Sequence, residues 1–160
     1  MLDRTRLVVR DCVPPHTELR FERLVGVRWS PRSQAGVLAK LLFPEALRND
    51  DYPEEVGPFL GGTRATVAYV MNLYVPRRRR RQGLGSALMR AVLRAAYERG
   101  SRRALLIPER GSESHLIPFY ERLGFRTLAT FNTGETLMGR ALRAPRRKSQ
   151  GVDYRTMTAK

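Results

Sequence analysis

The segment N-L-Y-V-P-R-R-R-R-R-Q-G-L-G-S-A-L-M, Asn72 to Met89, decides how this chain is read. It continues an apolar, β-branched and aromatic run that begins at Thr66 and reads as a buried strand ending at Val75. Pro76 stops the strand, and a loop of arginines and glycines follows. From Gly83 the pattern turns helical, with Leu84, Leu88, Ala91, Val92 and Ala95 at helical spacing and Gly100 as the natural stop. A strand that empties through such a loop into a helix gathers unpaired N–H groups, the positive end of a helix and fixed positive charge in one place. Phosphate suits that combination. Two common phosphate loops are excluded: Leu88 stands where G-x-G-x-x-G needs its third glycine, and no G-x-x-x-x-G-K-S/T is present.

Downstream, Ala104 to Ile107 is a short apolar strand closed by Pro108. Ser112 or Ser114 is placed to cap a second helix that ends at Gly124, with Pro118 in or near its first turn. In P-F-Y-E-R-L-G-F, Pro118 to Phe125, Phe119 and Leu123 share a core-facing side and Phe125 packs beneath the glycine stop. Tyr120 points elsewhere, and its hydroxyl is a candidate proton donor. Phe125 to Phe131 and Thr136 to Leu142 read as strands joined by a turn at Asn132 to Gly134. Strand–helix–strand–helix–strand–strand predicts an α/β layer whose first two strands are parallel, with its ligand at the C-terminal end of the first.

The first 63 residues are less regular. Leu7 to Asp11 and Phe21 to Trp29 read as strands. Ser33 to Arg48 fits either one helix broken near Pro44 or a strand at Val37 to Phe43 followed by a turn. Asn49 to Gly62, rich in proline and glycine, reads as a loop.

At 160 residues the chain suits one domain with a real core. No run of about 18 apolar residues is present to span a membrane, and M-L-D-R-T-R lacks a secretory core. Cys12 is the single cysteine, with no disulfide or metal partner nearby, so the cytoplasm is the expected compartment and no metal is expected. The net charge of +15 is unevenly spread. Residues 1–63 hold nine Lys/Arg and nine Asp/Glu, whereas residues 64–160 hold twenty-one against six, which is the whole excess. The part with the phosphate pattern is the basic part. Residues 144–160 lack apolar periodicity and read as a flexible basic tail behind a domain of residues 1–143.

Together, the two segments resemble the GCN5-related N-acetyltransferase (GNAT) superfamily. The resemblance rests on L-Y-V at Leu73 to Val75, on R-x-x-G-x-G at Arg80, Gly83 and Gly85, and on Tyr120 thirty-five residues after Gly85. It covers Thr66 to Leu142, about half the chain. It implies a GNAT-like mixed central sheet flanked by helices, and acetyl-coenzyme A as cosubstrate. Arg80, Arg81, Gln82, Gly83, Leu84, Gly85 and Ser86 would hold its pyrophosphate. Leu73, Tyr74 and Val75 would offer main-chain groups to the pantetheine arm and the acetyl carbonyl. Where many relatives carry asparagine, seven residues before the tyrosine, this chain has Glu113.

The implied chemistry is direct transfer to a primary amine of a small molecule or protein, with Tyr120 as general acid. His115 or Glu113 are candidate bases. The acidic loop with Asp51, Glu54 and Glu55 is a candidate binding region for a cationic acceptor. The competing reading is a nucleic-acid- or ribosome-binding protein on a GNAT-like scaffold, or an enzyme whose basic tail makes such a contact. Monomer and homodimer are both compatible with the sequence.

Overall fold

Val67 to Val70 sit at the centre of the sheet because their side chains alternate between two apolar clusters, Val67 and Tyr69 on one face and Ala68 and Val70 on the other. The computed structural model describes residues 5–11, 17–24 and 34–144. Seven strands form one sheet: β1 (Thr5–Asp11), β2 (Thr17–Leu24), β3 (Gln34–Leu42), β4 (Val67–Tyr74), β5 (Arg103–Leu106), β6 (Arg126–Thr130) and β7 (Thr136–Ala141). Their spatial order is β1-β2-β3-β4-β5-β7-β6, and only β4 and β5 pair in parallel. The others pair antiparallel, so the sheet is mixed, as expected.

One face of the sheet carries α2 (Leu84–Glu98) and α3 (Glu113–Arg122). Ala35, Val37, Ala39 and Leu41 of β3, Ala68 and Val70 of β4, Ala104 and Leu106 of β5 and Met138 of β7 form a core there with Leu88, Val92, Ala96, Tyr120, Leu123 and Phe125. The opposite face buries Val67, Leu105 and Leu137 beneath Leu47, Val56 and Leu60. Burying an aliphatic side chain of this size stabilises by about 1.5–3 kcal/mol relative to exposing it, so both faces hold the sheet.

The cover of the second face differs from expectation. Asn49 to Gly62, read as a loop, contains a short helix, α1 (Val56–Leu60). Val56 and Leu60 lie one turn apart and are both buried, while Pro58 sits in the first turn, where its missing N–H costs nothing. The stretch from Ser33 follows the second of its two readings, strand β3 and then a single 3-10 turn at Pro44–Leu47. The N-terminal strands begin earlier than expected, and β2 ends at Leu24; Trp29, the basic tail and Cys12 lie outside the described residues. The segment 43–66, between β3 and β4, covers the second face.

Pro118 is also displaced. It is the sixth residue of α3, beyond the first turn. The carbonyl of Ser114 thereby loses its helical donor, and the exposure of Ser114 lets water replace it. Among the described residues no helix is long and apolar enough to cross a membrane.

Candidate active site

The parallel pair β4–β5 is joined at one end and open at the other. Val67 to Val70 pair with Arg103 to Leu106, and there β5 stops. β4 runs on through Met71–Tyr74, so on the β5 side this main chain has no strand partner among the described residues. At the opposite end, Thr66 Oγ1 and Ser101 Oγ lie 2.7 Å apart, with Ser101 fully buried. A bulge sharpens the divergence: Leu38 faces Asn72 and Ala39 faces Val70, which leaves Met71 as the extra residue. Two strands that part this way expose N–H and C=O groups to a ligand lying between them.

The basic loop closes the mouth of this cleft. Arg77–Arg79 form a 3-10 turn on buried Pro76, with Arg79 N–H donating to Pro76 C=O at 2.8 Å. Arg80 Nε donates to Val75 C=O at 3.0 Å, tying the loop to the end of β4. Arg81 at φ 64° is the only non-glycine residue with positive φ among the described residues, and Gly83 follows at φ 77°. These two left-handed residues turn the chain into α2. The first bond of that helix runs from Ala87 N–H to Gly83 C=O at 3.0 Å. The N–H groups of Leu84, Gly85 and Ser86 precede it, and no side chain caps them. Gly85 lies under Phe119, where an added Cβ would stand 3.4 Å from the ring and 3.8 Å from Leu73 Cδ2. Arg80, Arg81, Gln82 and Tyr74 are exposed, Leu73, Val75 and Ser86 half-buried, and Leu84 buried.

Tyr120 does not point away from the core as its sequence position suggests. It is 7% exposed, whereas Phe119 is only half-buried. The cause is the end of α3. Phe125 N–H reaches back to Tyr120 C=O at 3.1 Å and Gly124 N–H to Glu121 C=O at 2.9 Å, with Gly124 at φ 88°. This double closure brings Phe125 under the last turn, against Tyr120. The Tyr120 ring meets Phe125 at 6.0 Å and Phe119 at 5.1 Å, both edge-to-face. Burial, and secondarily the charge of Glu109, raise the Tyr120 pKa above its ordinary 10.0.

The remaining candidates separate. Glu113 Oε2 accepts from Gly111 N–H at 2.8 Å, which holds the turn before α3. His115 is exposed, two residues further along on that helix. Asp51, Glu54 and Glu55 are all exposed on segment 43–66. Glu55 faces a groove of ≈ 320 Å³ with Pro58, Phe59, Arg126, Thr127 and Leu128, separated from the cleft by β5 and β7. Asp51 neighbours a different cluster, one that the sequence reading missed. Tyr52 packs at 6.3 Å against Phe131, and Tyr69 of β4 lies on the same face. Burial, then Tyr52, then Glu135 push the Tyr69 pKa up to about 12. The Tyr52 pKa is raised by burial and by Asp51. These residues are 83 positions apart from Tyr52 to Glu135, and no local pattern links them.

A sequence profile of the acetyltransferase (GNAT) family matches residues 46–125. The chain belongs to that family. This acetyltransferase also shares its fold with solved structures at low identity. Arabidopsis thaliana NAA60 in complex with a bisubstrate analogue matches at 17% identity with a TM-score of 0.59, covering 79% of this chain and 77% of that one. NAA60 in complex with acetyl-CoA gives 17% and 0.56, covering 78% and 76%. An acetyltransferase from Thermus thermophilus gives 22% and 0.55, covering 81% and 67%. No curated protein sequence matches this GNAT chain. Among its described residues no group of three or more His, Cys, Asp or Glu could hold a metal ion.

Proposed function

We propose that the chain transfers the acetyl group of acetyl-coenzyme A directly to a primary amine in the β4–β5 cleft. The observation that carries this reading is the edge of Met71–Tyr74 that β5 leaves without a strand partner, beside the uncapped N–H groups of Leu84, Gly85 and Ser86. The helix start and Arg80 to Gln82 suit a diphosphate. The cofactor arm would continue along β4, pairing with its free edge as a short strand would. A thioester carbonyl held there meets main-chain donors that stabilise the charge growing on its oxygen. Holding amine and thioester together supplies much of the rate, and the family's direct transfer needs no covalent enzyme intermediate.

Tyr120 suits the departing thiolate. Its raised pKa keeps the hydroxyl protonated at neutral pH. An ordinary thiol, at about 8.5, is the stronger acid. Tyr120 therefore acts best by donating a hydrogen bond to the thiolate as it leaves, with water supplying the final proton. In this reading Glu113 supports the loop, and His115 is the more available of the two candidate bases.

The acceptor would approach the face bearing Tyr52, Tyr69, Phe131 and Glu135. Aromatic rings flanked by Asp51 and Glu135 favour a cationic amine before it loses its proton. The test is release of coenzyme A thiol from acetyl-coenzyme A with a panel of amines and peptides. Asp51→Asn with Glu135→Gln should raise the acceptor KM about tenfold, each lost charge-assisted contact weakening binding. The KM for acetyl-coenzyme A should not move. A change in the acetyl-coenzyme A KM instead would place the acceptor elsewhere.

A further inference from the structure

We infer that Arg77 and Arg78 form a second anion subsite, one that takes a phosphate monoester on the nucleotide ribose. It rests on reading the cleft as an acetyl-coenzyme A site, and it would set a preference for coenzyme A over dephospho-coenzyme A. Arg48 donates to Gly61 C=O, Arg99 to Ala95, Arg102 to Tyr97 and Ser101, Arg103 to Phe59, and Arg140 to Leu123. These carbonyls lie in or next to helix C-terminal turns, where a guanidinium adds a donor and complements the helix dipole. Arg94 pairs with Glu98 at 3.0 Å. These six arginines hold the fold, whereas Arg64, Arg90, Arg110, Arg122, Arg126 and Arg143 stand singly and make no side-chain hydrogen bond among the described residues.

The five-arginine loop differs from both groups because its charges are consecutive. Arg80 alone bonds a carbonyl there. Arg77 and Arg78 are exposed and make no hydrogen bond or ion pair through their side chains among the described residues. No Asp or Glu occurs between Asn72 and Met89 to offset them. Consecutive like charges on one tight turn repel, and nothing local in the sequence compensates. An arriving anion would.

The diphosphate accounts for part of the charge only. Its roughly two negative charges are met by the N–H groups of Leu84 to Ser86, the helix start and Arg81. Arg77 and Arg78 stand one 3-10 turn upstream and are left over. A ribose phosphate monoester carries about −1.5 to −2 at neutral pH, and its three oxygens match guanidinium forks. A nucleic-acid backbone fits less well. It needs a row of cations, and on the outward side of α2 Arg94 is already matched by Glu98.

The test is calorimetric titration of coenzyme A and dephospho-coenzyme A into the full chain, its Arg77→Gln/Arg78→Gln variant, and an Arg90→Gln control. The unchanged chain should favour coenzyme A by about tenfold or more, the size of a charge-assisted phosphate contact. In the double variant that preference should fall to near unity through weaker coenzyme A binding, with dephospho-coenzyme A held as before. Arg90→Gln should leave the preference intact. Equal affinity of the unchanged chain for both ligands overturns the subsite alone. So does an equal loss of both in the double variant, which would mean a diffuse field. If neither nucleotide binds the unchanged chain, the acetyl-coenzyme A reading falls and the subsite with it.

Discussion

Tyr120 and Tyr69 both carry hydroxyls whose pKa is raised by burial, and each makes a prediction of its own. Tyr120 is buried between Phe119 and Phe125, so Tyr120→Phe keeps the packing and removes only the donor. Turnover should fall about 100-fold, a typical loss for one hydrogen-bond donor aimed at a developing anion, with the acetyl-coenzyme A KM unchanged. An unchanged kcat in steady-state assays would remove Tyr120 from the mechanism. Tyr69 speaks to stability. Its pKa is raised to about 12, so below pH 10 folded and unfolded chains both hold the proton and the group adds no pH dependence. Between pH 10 and 12 the unfolded chain ionises first, and stability is lost as pH rises. Alkaline melting curves should therefore steepen their decline above about pH 10, and Tyr69→Phe should flatten it.

The elements show where sequence reading succeeds. β4, α2, β5 and β7 are legible because each carries a strong local period between clear stops: Pro76, Gly100, Pro108 and the turn at Gly134. α1 is not, because Gly57 and Pro58 signal a loop while the deciding contacts, Val56 and Leu60 on Val67 and Leu105, are distant in sequence. The burial of Tyr120 escapes the sequence for a related reason. Helical spacing assigns faces along α3, but Phe125 folding back beneath Gly124 overrides that assignment. Gly139 offers a test at this scale. It lies in β7 beneath Leu128 and Phe59, and a Cβ there would come within 2.7 Å of Leu128 Cδ1 and 2.8 Å of the Phe59 ring. Gly139→Ala should destabilise by about 1–3 kcal/mol through overpacking, lowering the Tm by several degrees. A variant that melts with the unchanged chain would show that α1 and β6 yield freely.

For the whole molecule, the proposed cofactor end of the site is readable in the sequence and the proposed acceptor end is not. Arg80 to Ser86 sit in consecutive positions, so one segment announces them. Tyr52, Tyr69, Phe131 and Glu135 come from separate elements and turns and meet only once the sheet is built. A melting experiment addresses the assembled site: acetyl-coenzyme A at about 100 times its Kd should add roughly 2.7 kcal/mol of stability. No rise in Tm at that concentration would count against the cleft. The clasp between Thr66 and Ser101 bears on how such a ligand enters. With β4 and β5 pinned at one end and parted at the other, the slot stands ready before anything arrives. Ordering entropy is then not spent at the moment of capture, and little of the complex's affinity is given back to rigidify the protein. Amide exchange at Val67 to Val70 should accordingly be slow in the empty protein, with protection on binding gained chiefly at Met71 to Tyr74.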